Sequence, residues 1–381
     1  MAAVKRGGIY VHVPFCRRKC PYCDFYSMAD LSLAPAFLEA LEIEIRRSQP
    51  GRLVFDSIYI GGGTPSLLSA AEVARILAAL FARIRFEQPV EITLEANPGA
   101  VGPQELAGLR AAGINRLNIG VQSFQDENLG RLGRIHSADD ARRALAQARA
   151  AGFDNLGIDL IYGLPGQGLV EWRRDLAEAV GCGPEHIACY MLTLEPGTPL
   201  FEAQRAGRFN PAPEERVAEL FLATSEFLTE QGYRHYEVSN FARVGQNGAR
   251  LSRHNSKYWS CHPYLGFGPA AHSFLPPQRF WNHRNLKRYM ADLAAGKLPR
   301  AGQEELDAAQ QMTEFIMLGL RTAEGVDLAE FQQRFGVDFN ERCGAAAAEL
   351  QGRHLLTLRD GRCAATLRGM LYLNTVTAAL I

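Results

Sequence analysis

Three cysteines crowd into Cys16-Arg17-Arg18-Lys19-Cys20-Pro21-Tyr22-Cys23, at spacings of four and three residues, just after a β-rich run. Thiolates are soft donors that suit iron–sulfur clusters or zinc. A cubane held by three protein thiolates leaves one iron open to chelate a small molecule, whereas structural zinc needs a fourth protein ligand. His12, Asp24 and more distant cysteines are the candidates for that fourth place. Gly61-Gly62-Gly63-Thr64-Pro65 follows the next β run, and consecutive glycines let a ligand approach backbone that a Cβ would obstruct. The run is neither a dinucleotide fingerprint nor a phosphate loop with a lysine. Beside the cysteine loop it suits a sulfonium amino acid, whose amine and carboxylate need backbone and side-chain partners.

These residues must be placed by elements that alternate along the first half of the chain. β-rich runs at Ile9–Val13, Phe55–Ile60, Val90–Glu95, Arg116–Gly120, Leu156–Ile161 and His186–Tyr190 are interleaved with amphipathic helical stretches near 36–47, 70–83, 104–112, 138–151 and 171–180. Six strands of this kind predict an α/β fold with a parallel sheet and right-handed crossovers, in the form of a partial (β/α)6 barrel. In such folds the functional groups gather at the carboxyl ends of the strands. The cysteine loop, the glycine run, Glu95, Gln122 and Asp159 all fall there.

The pattern changes after Glu195-Pro196-Gly197. The sequence predicts a barrel over 1–240, an aromatic-rich, irregular connecting region over 241–300, and a smaller helical, winged-helix-like domain over 301–381 with a hairpin turning at Asp360-Gly361. Helices are expected at 213–231, 285–295 and 304–320.

With 381 residues, and about 150 per domain, two or three domains are expected. The 41 basic residues equal the 41 acidic ones, so no overall field draws the chain to nucleic acid, and at most peripheral membrane association is expected. No apolar run reaches the length of a membrane-spanning helix, and the stretch Met1–Tyr10 has no signal-peptide pattern. Eight cysteines, three of them clustered, predict metal chemistry in a reducing cytoplasm rather than a disulfide framework.

The chain resembles the radical S-adenosylmethionine superfamily, and within it the group of oxygen-independent coproporphyrinogen III oxidases and HemW-type haem chaperones. The resemblance runs from Tyr10 to Asn374. It is carried by Tyr10-Val-His-Val-Pro-Phe-Cys16, the three-cysteine loop, Gly-Gly-Gly-Thr-Pro, Glu95, Gly120-Val-Gln122-Ser-Phe124, Asp159-Leu-Ile-Tyr-Gly-Leu-Pro165 and Leu265-Gly-Phe-Gly-Pro-Ala-Ala-His272. It implies that Cys16, Cys20 and Cys23 bind a [4Fe-4S] cluster whose open iron S-adenosylmethionine chelates. It also implies nucleotide contacts at Tyr10, Tyr22, Gly62, Gly63, Thr64, Glu95, Gln122, Arg134 and Asp159. Their chemistry suits that use: carboxylates accept from an ammonium or ribose, a guanidinium fork holds a carboxylate, and Tyr22 offers a flat face. Taken one by one, Glu95 as a helix cap, Arg134 as a surface charge and Tyr10 as core stay open.

Two branches of the resemblance differ in function. The decarboxylase branch has a further Cys two residues past the third ligand, where this chain has Phe25, and a long N-terminal extension, where nine residues precede Tyr10. The chaperone branch carries a His-Asn-x-x-Tyr-Trp signature, matched by His254-Asn255-Ser256-Lys257-Tyr258-Trp259. The resemblance therefore implies a haem chaperone that hands haem to acceptors such as respiratory haem enzymes, with His254 as the axial ligand. Oxygen-independent coproporphyrinogen III oxidase is the alternative, and a zinc-bound scaffold is the third. Cys182 and Cys189 are expected to be core thiols.

Overall fold

The computed structural model describes residues 6–246 and 248–381, so the part of the N-terminal expectation that rests on residues 1–5 lies outside the described residues. Strands β1 (Gly7–Val13), β2 (Phe55–Gly62), β3 (Phe86–Ala96), β4 (Arg116–Gln122), β5 (Leu156–Tyr162) and β6 (His186–Met191) pair in parallel in chain order. Between them run α1 (Ala34–Arg47), α2 (Ala70–Arg83), α3 (Pro103–Ala111), α4 (Asp126–Arg131), α5 (Ala138–Ala150) and α6 (Leu169–Gly181). The expected α/β alternation is present. α2 and α5 start where reciprocal capping pairs, Ser69 with Glu72 and Ser137 with Asp140, satisfy backbone N–H groups that a first turn leaves orphaned.

Side-chain alternation explains the architecture. Along β3, Val90, Ile92 and Leu94 face the helices while Glu91, Thr93 and Glu95 face inward; along β4, Leu117 and Ile119 oppose Arg116 and Asn118. The outward residues join one apolar core with the helices, and each fully buried Leu or Ile contributes roughly 1.5–3 kcal/mol. The inward set is polar and does not fill the lumen with hydrocarbon, so the curved sheet encloses a cavity. β1 and β6 do not pair with each other, so the barrel is open.

Beyond β6 come α7 (Pro199–Arg205), α8 (Glu214–Glu230), β7 (Tyr233–Glu237), β8 (Asn240–Gly245), β9 (Gly248–Ala249), α9 (Arg253–Trp259), β10 (Tyr264–Phe267), β11 (His272–Leu275), β12 (Gln278–Asn282), α10 (Leu286–Ala294) and β13 (Arg300–Glu305). The region expected to be irregular thus holds short strands together with the helices α9 and α10. β10 adds in parallel to the free edge of β1 and leads through β11 and β12 to β13, while β8 adds antiparallel to β6. The boundary expected at 240 falls inside β8, and the strands within 241–300 share the sheet of the barrel. Strands of four or five residues broken by Gly and Pro show too little periodicity to read; the edge of β1 is the template that makes them strands.

The helix expected from residue 304 begins at Ala308, capped by Asp307, because Arg300–Glu305 pairs with β12. The last region has α11 (Ala308–Gly319), β14 (Val326–Asp327), α12 (Leu328–Phe335), α13 (Phe339–Gly352), β15 (Leu356–Arg359), β16 (Arg362–Ala365), α14 (Leu367–Leu371) and α15 (Leu373–Leu380). Its three-stranded sheet, with the hairpin at Asp360-Gly361, has the winged-helix-like form expected.

Candidate functional site

A cavity of about 950 Å³ opens at the carboxyl ends of the strands and runs down the lumen as far as Asn255 of α9. The cysteine loop forms its rim. That loop is closed by backbone bonds from Cys16 N–H to Met28 O (3.0 Å), Met28 N–H to Pro14 O (2.8 Å) and Cys23 N–H to Cys20 O (3.1 Å). His12 supports it from below, with Nε2 2.8 Å from Tyr26 O and Nδ1 3.0 Å from the Tyr10 hydroxyl.

The glycine run approaches the loop so closely that no side chain fits between. Gly63 N–H donates to Val13 O (2.8 Å) and Thr64 N–H to Phe15 O (2.7 Å). A Cβ on Gly63 would lie 2.5 Å from Phe15 O, and Gly62 sits at φ +111°, where a side chain would also strike His12. Thr64 Oγ1 donates to Cys16 Sγ (3.4 Å) and accepts from Asn97 Nδ2 (2.9 Å). Arg134 donates to Asn97 Oδ1 (2.6 Å), Gly120 O (2.9 Å) and Cys20 Sγ (3.6 Å). Gln122, at φ +68°, ends β4 in the left-handed region, a strained placement for a non-glycine residue beside the cavity.

Two half-buried carboxyls face the lumen. Glu95 accepts from the Tyr59 hydroxyl (2.7 Å) and Gly62 N–H (3.2 Å), and Asp159 accepts from Asn118 Nδ2 (2.7 Å). Burial pushes Glu95 up to about 7 and Asp159 up to about 6. Burial also pushes the Cys23 thiol up. Arg116, whose positive charge acts on both carboxyls, has Nε and Nη1 buried and without hydrogen-bond partners.

The structure brings most of the expected residues together. Cys16, Cys20, Cys23 and Tyr22 form the rim. Gly62, Gly63, Thr64, Glu95, Gln122, Arg134 and Asp159 line the cavity wall. Two expectations meet a different placement. Tyr10 is not on the wall; its ring stacks on Tyr59, which is (6.4 Å between centroids). His254, expected as an axial haem ligand, is 1% exposed, and both ring nitrogens are engaged, Nδ1 with Ser57 Oγ (3.2 Å) and Nε2 with the Tyr258 hydroxyl (2.9 Å). As placed it offers a macrocycle no lone pair, because α9 docks against the amino ends of the strands. Sequence reasoning missed Tyr59, Arg116 and Asn118, and it set Asn97 at the rim without giving it a role. The signal for the missed three was inward polar alternation on β2 and β4.

The donor set fits a cluster held by three thiolates with one iron left open. Of the candidates for a fourth zinc ligand, the other five cysteines lie off the cavity, Cys189 buried and Cys182 half-buried, His12 has both nitrogens occupied, and Asp24 lines the cavity with Oδ1 3.4 Å from Arg284 Nη2. The buried, unpartnered Arg116 beside two carboxyls marks a lumen built for a polar guest.

The radical SAM superfamily profile matches residues 10–179, and the HemN C-terminal domain profile matches 306–372. "Heme chaperone HemW" of Bacillus subtilis is 32% identical over 98% of this chain and 98% of its own length. The protein of the same name from Mycobacterium tuberculosis is 35% identical over 98% and 94%. "Radical S-adenosyl methionine domain-containing protein 1, mitochondrial" of Bos taurus is 38% identical over 86% and 76%. Among solved structures, coproporphyrinogen III oxidase (HemN) from Escherichia coli superposes with a TM-score of 0.84 at 24% identity, covering 99% of this chain and 91% of that one.

Proposed function

The chain belongs to the HemW family of the radical S-adenosylmethionine superfamily, and on that footing we propose that it is a haem chaperone carrying a [4Fe-4S] cluster and S-adenosylmethionine. Cys16, Cys20 and Cys23 hold the cluster; Gly62, Gly63, Thr64, Glu95, Gln122, Arg134, Asp159 and Tyr22 hold the nucleotide. When bound, the pair supplies one-electron chemistry or, without turnover, a redox-sensitive brace for the rim. The chain's own residues do the rest. Thr64 and Arg134 donate toward thiolate sulfur and spread its charge, and the carboxylates of Glu95 and Asp159 accept from ammonium and ribose.

The observation that carries this reading is the rim itself: three thiols, no fourth cysteine, and strand-end donors converging on one cavity. Haem is assigned to the mouth. Phe25, Ile135 and Met191 are exposed there at 66%, 59% and 48%, beside Arg17, Arg18 and Lys19. A flat macrocycle with two carboxylates suits an apolar lip next to three cations. Acceptor haem proteins, respiratory enzymes among them, are the proposed recipients, and the cytoplasm the proposed location. No helix among the described residues is long and apolar enough to cross a membrane.

Anaerobic reconstitution with iron and sulfide, followed by haem titration, transfer to an apo-acceptor and an assay on coproporphyrinogen III, tests the proposal. We expect a cubane spectrum, a Soret shift and haem transfer without porphyrinogen conversion. Decarboxylated product at catalytic turnover would establish the oxidase alternative instead.

A further inference from the structure

The His-Asn-x-x-Tyr-Trp signature lies under the cofactor cavity and is joined to it by contacts that need no metal. Glu91 accepts from the backbone N–H groups of Arg253 (3.1 Å) and His254 (2.9 Å), which pins α9 across the amino ends of the strands. The imidazole of His254, with both nitrogens bonded, packs against the ring of Tyr59 at 5.3 Å between centroids and a 31° tilt. Tyr59 in turn donates its hydroxyl to Glu95, whose other oxygen takes Gly62 N–H.

Two glycines make room for this column. A Cβ on Gly8 would lie 3.0 Å from the His254 imidazole, and one on Gly61 would lie 2.9 Å from the Tyr59 ring and 3.1 Å from the Glu95 carboxyl. Both sit within strands, where glycine weakens the sheet and marks a close approach. The backbone therefore accommodates the column at two separate levels. We propose that His254 is a positioning residue of the nucleotide site, holding Tyr59 so that its hydroxyl stays on Glu95 and keeping Glu95 and Gly62 set for the amino-acid end of S-adenosylmethionine. The proposal rests on the reading of the cavity given above, and it gives the signature a task other than haem ligation.

The test is equilibrium dialysis of S-adenosylmethionine against the reconstituted full chain, beside a haem titration. His254→Ala and Tyr59→Phe are each expected to weaken nucleotide binding roughly tenfold, the loss of one hydrogen bond to a charged group. The double variant should lose little more than either single one, because both act through one contact. Haem affinity should stay within about twofold in all three, since the mouth is untouched. The pH midpoint of nucleotide uptake should also move upward in both single variants, because the Tyr59 hydroxyl stabilises ionised Glu95. The other groups facing that carboxyl, Tyr10 on β1, Arg116 on β4, Asp159 on β5 and Tyr258 on α9, are unaltered. Should His254→Ala fail to fold, His254→Leu, which keeps bulk behind Tyr59 but removes the flat ring packed on it, carries the comparison by affinity and pH midpoint. Unchanged affinity in the variants, fully additive losses, or a lost Soret band with nucleotide binding retained would overturn the proposal. A wild-type chain that builds its cluster yet takes up no S-adenosylmethionine would instead remove the reading of the cavity, and this proposal with it.

Discussion

Glu95 and Asp159 are half-buried in the lumen, and the desolvation they suffer there raises both above the usual carboxylate range, to about 7 and about 6. A raised carboxyl binds its proton more tightly folded than unfolded, so its contribution to stability is present below the ordinary carboxylate value and is lost as pH rises through about 6 and 7. An ammonium placed between them favours the ionised forms. S-adenosylmethionine should therefore raise the melting temperature more at about pH 8 than at about pH 6, and a thermal-shift series with equal increments at both would refute the pairing. At Cys20 the expectation concerns independence. Cys20→Ser should prevent cluster assembly while leaving the haem Soret shift, because the haem is assigned to the lip and not to the iron. Absence of that shift in iron-free Cys20→Ser protein would refute this.

The glycine run and the cysteine loop work as a pair of elements whose backbones touch. Gly63→Ala places a methyl group 2.5 Å from Phe15 O, so one of the two segments must move. A cost of roughly 1–3 kcal/mol and a lowered iron content after reconstitution are expected, read by urea melts and iron per chain. Gly130→Ala, in α4 with nothing within 4 Å of its Cβ, is the matched control and should stabilise by roughly 0.4–1 kcal/mol. Glu44 shows the same dependence between elements. From α1 it accepts from Gly268 N–H, Asn282 Nδ2 and the Tyr289 hydroxyl, tying the first crossover to the turn after β10, to the end of β12 and to α10. Glu44→Leu would strand three buried donors and should cost about 2–5 kcal/mol by chemical denaturation.

For the whole molecule, the decisive feature is that chain far from the barrel in sequence completes its sheet. β10 covers β1 from Gly8 to Val11, and β8 covers β6 from His186 to Ala188. A fragment ending at residue 240 would leave both edges of the six-stranded sheet bare, and bare edges template aggregation. Expression of residues 1–240 should yield insoluble protein or a chain without a cooperative melt, whereas a soluble fragment with a sharp transition would mean that the barrel folds alone.

Much of the site was legible in the chain because its chemistry is local. Spacing alone brings Cys16, Cys20 and Cys23 onto one loop, period-two alternation turns Glu95 and Asp159 to the inner face of the sheet, and consecutive glycines announce a close approach. The six-strand order followed from alternation of helix and strand. The short strands between Tyr233 and Glu305 were not legible, since a four-residue strand takes its conformation from the neighbour it pairs with. Nor was the place of His254. A motif names its side chains, but which end of the barrel α9 closes, and so whether that imidazole meets a ligand or the back of Tyr59, is decided by pairing between residues more than 150 positions apart.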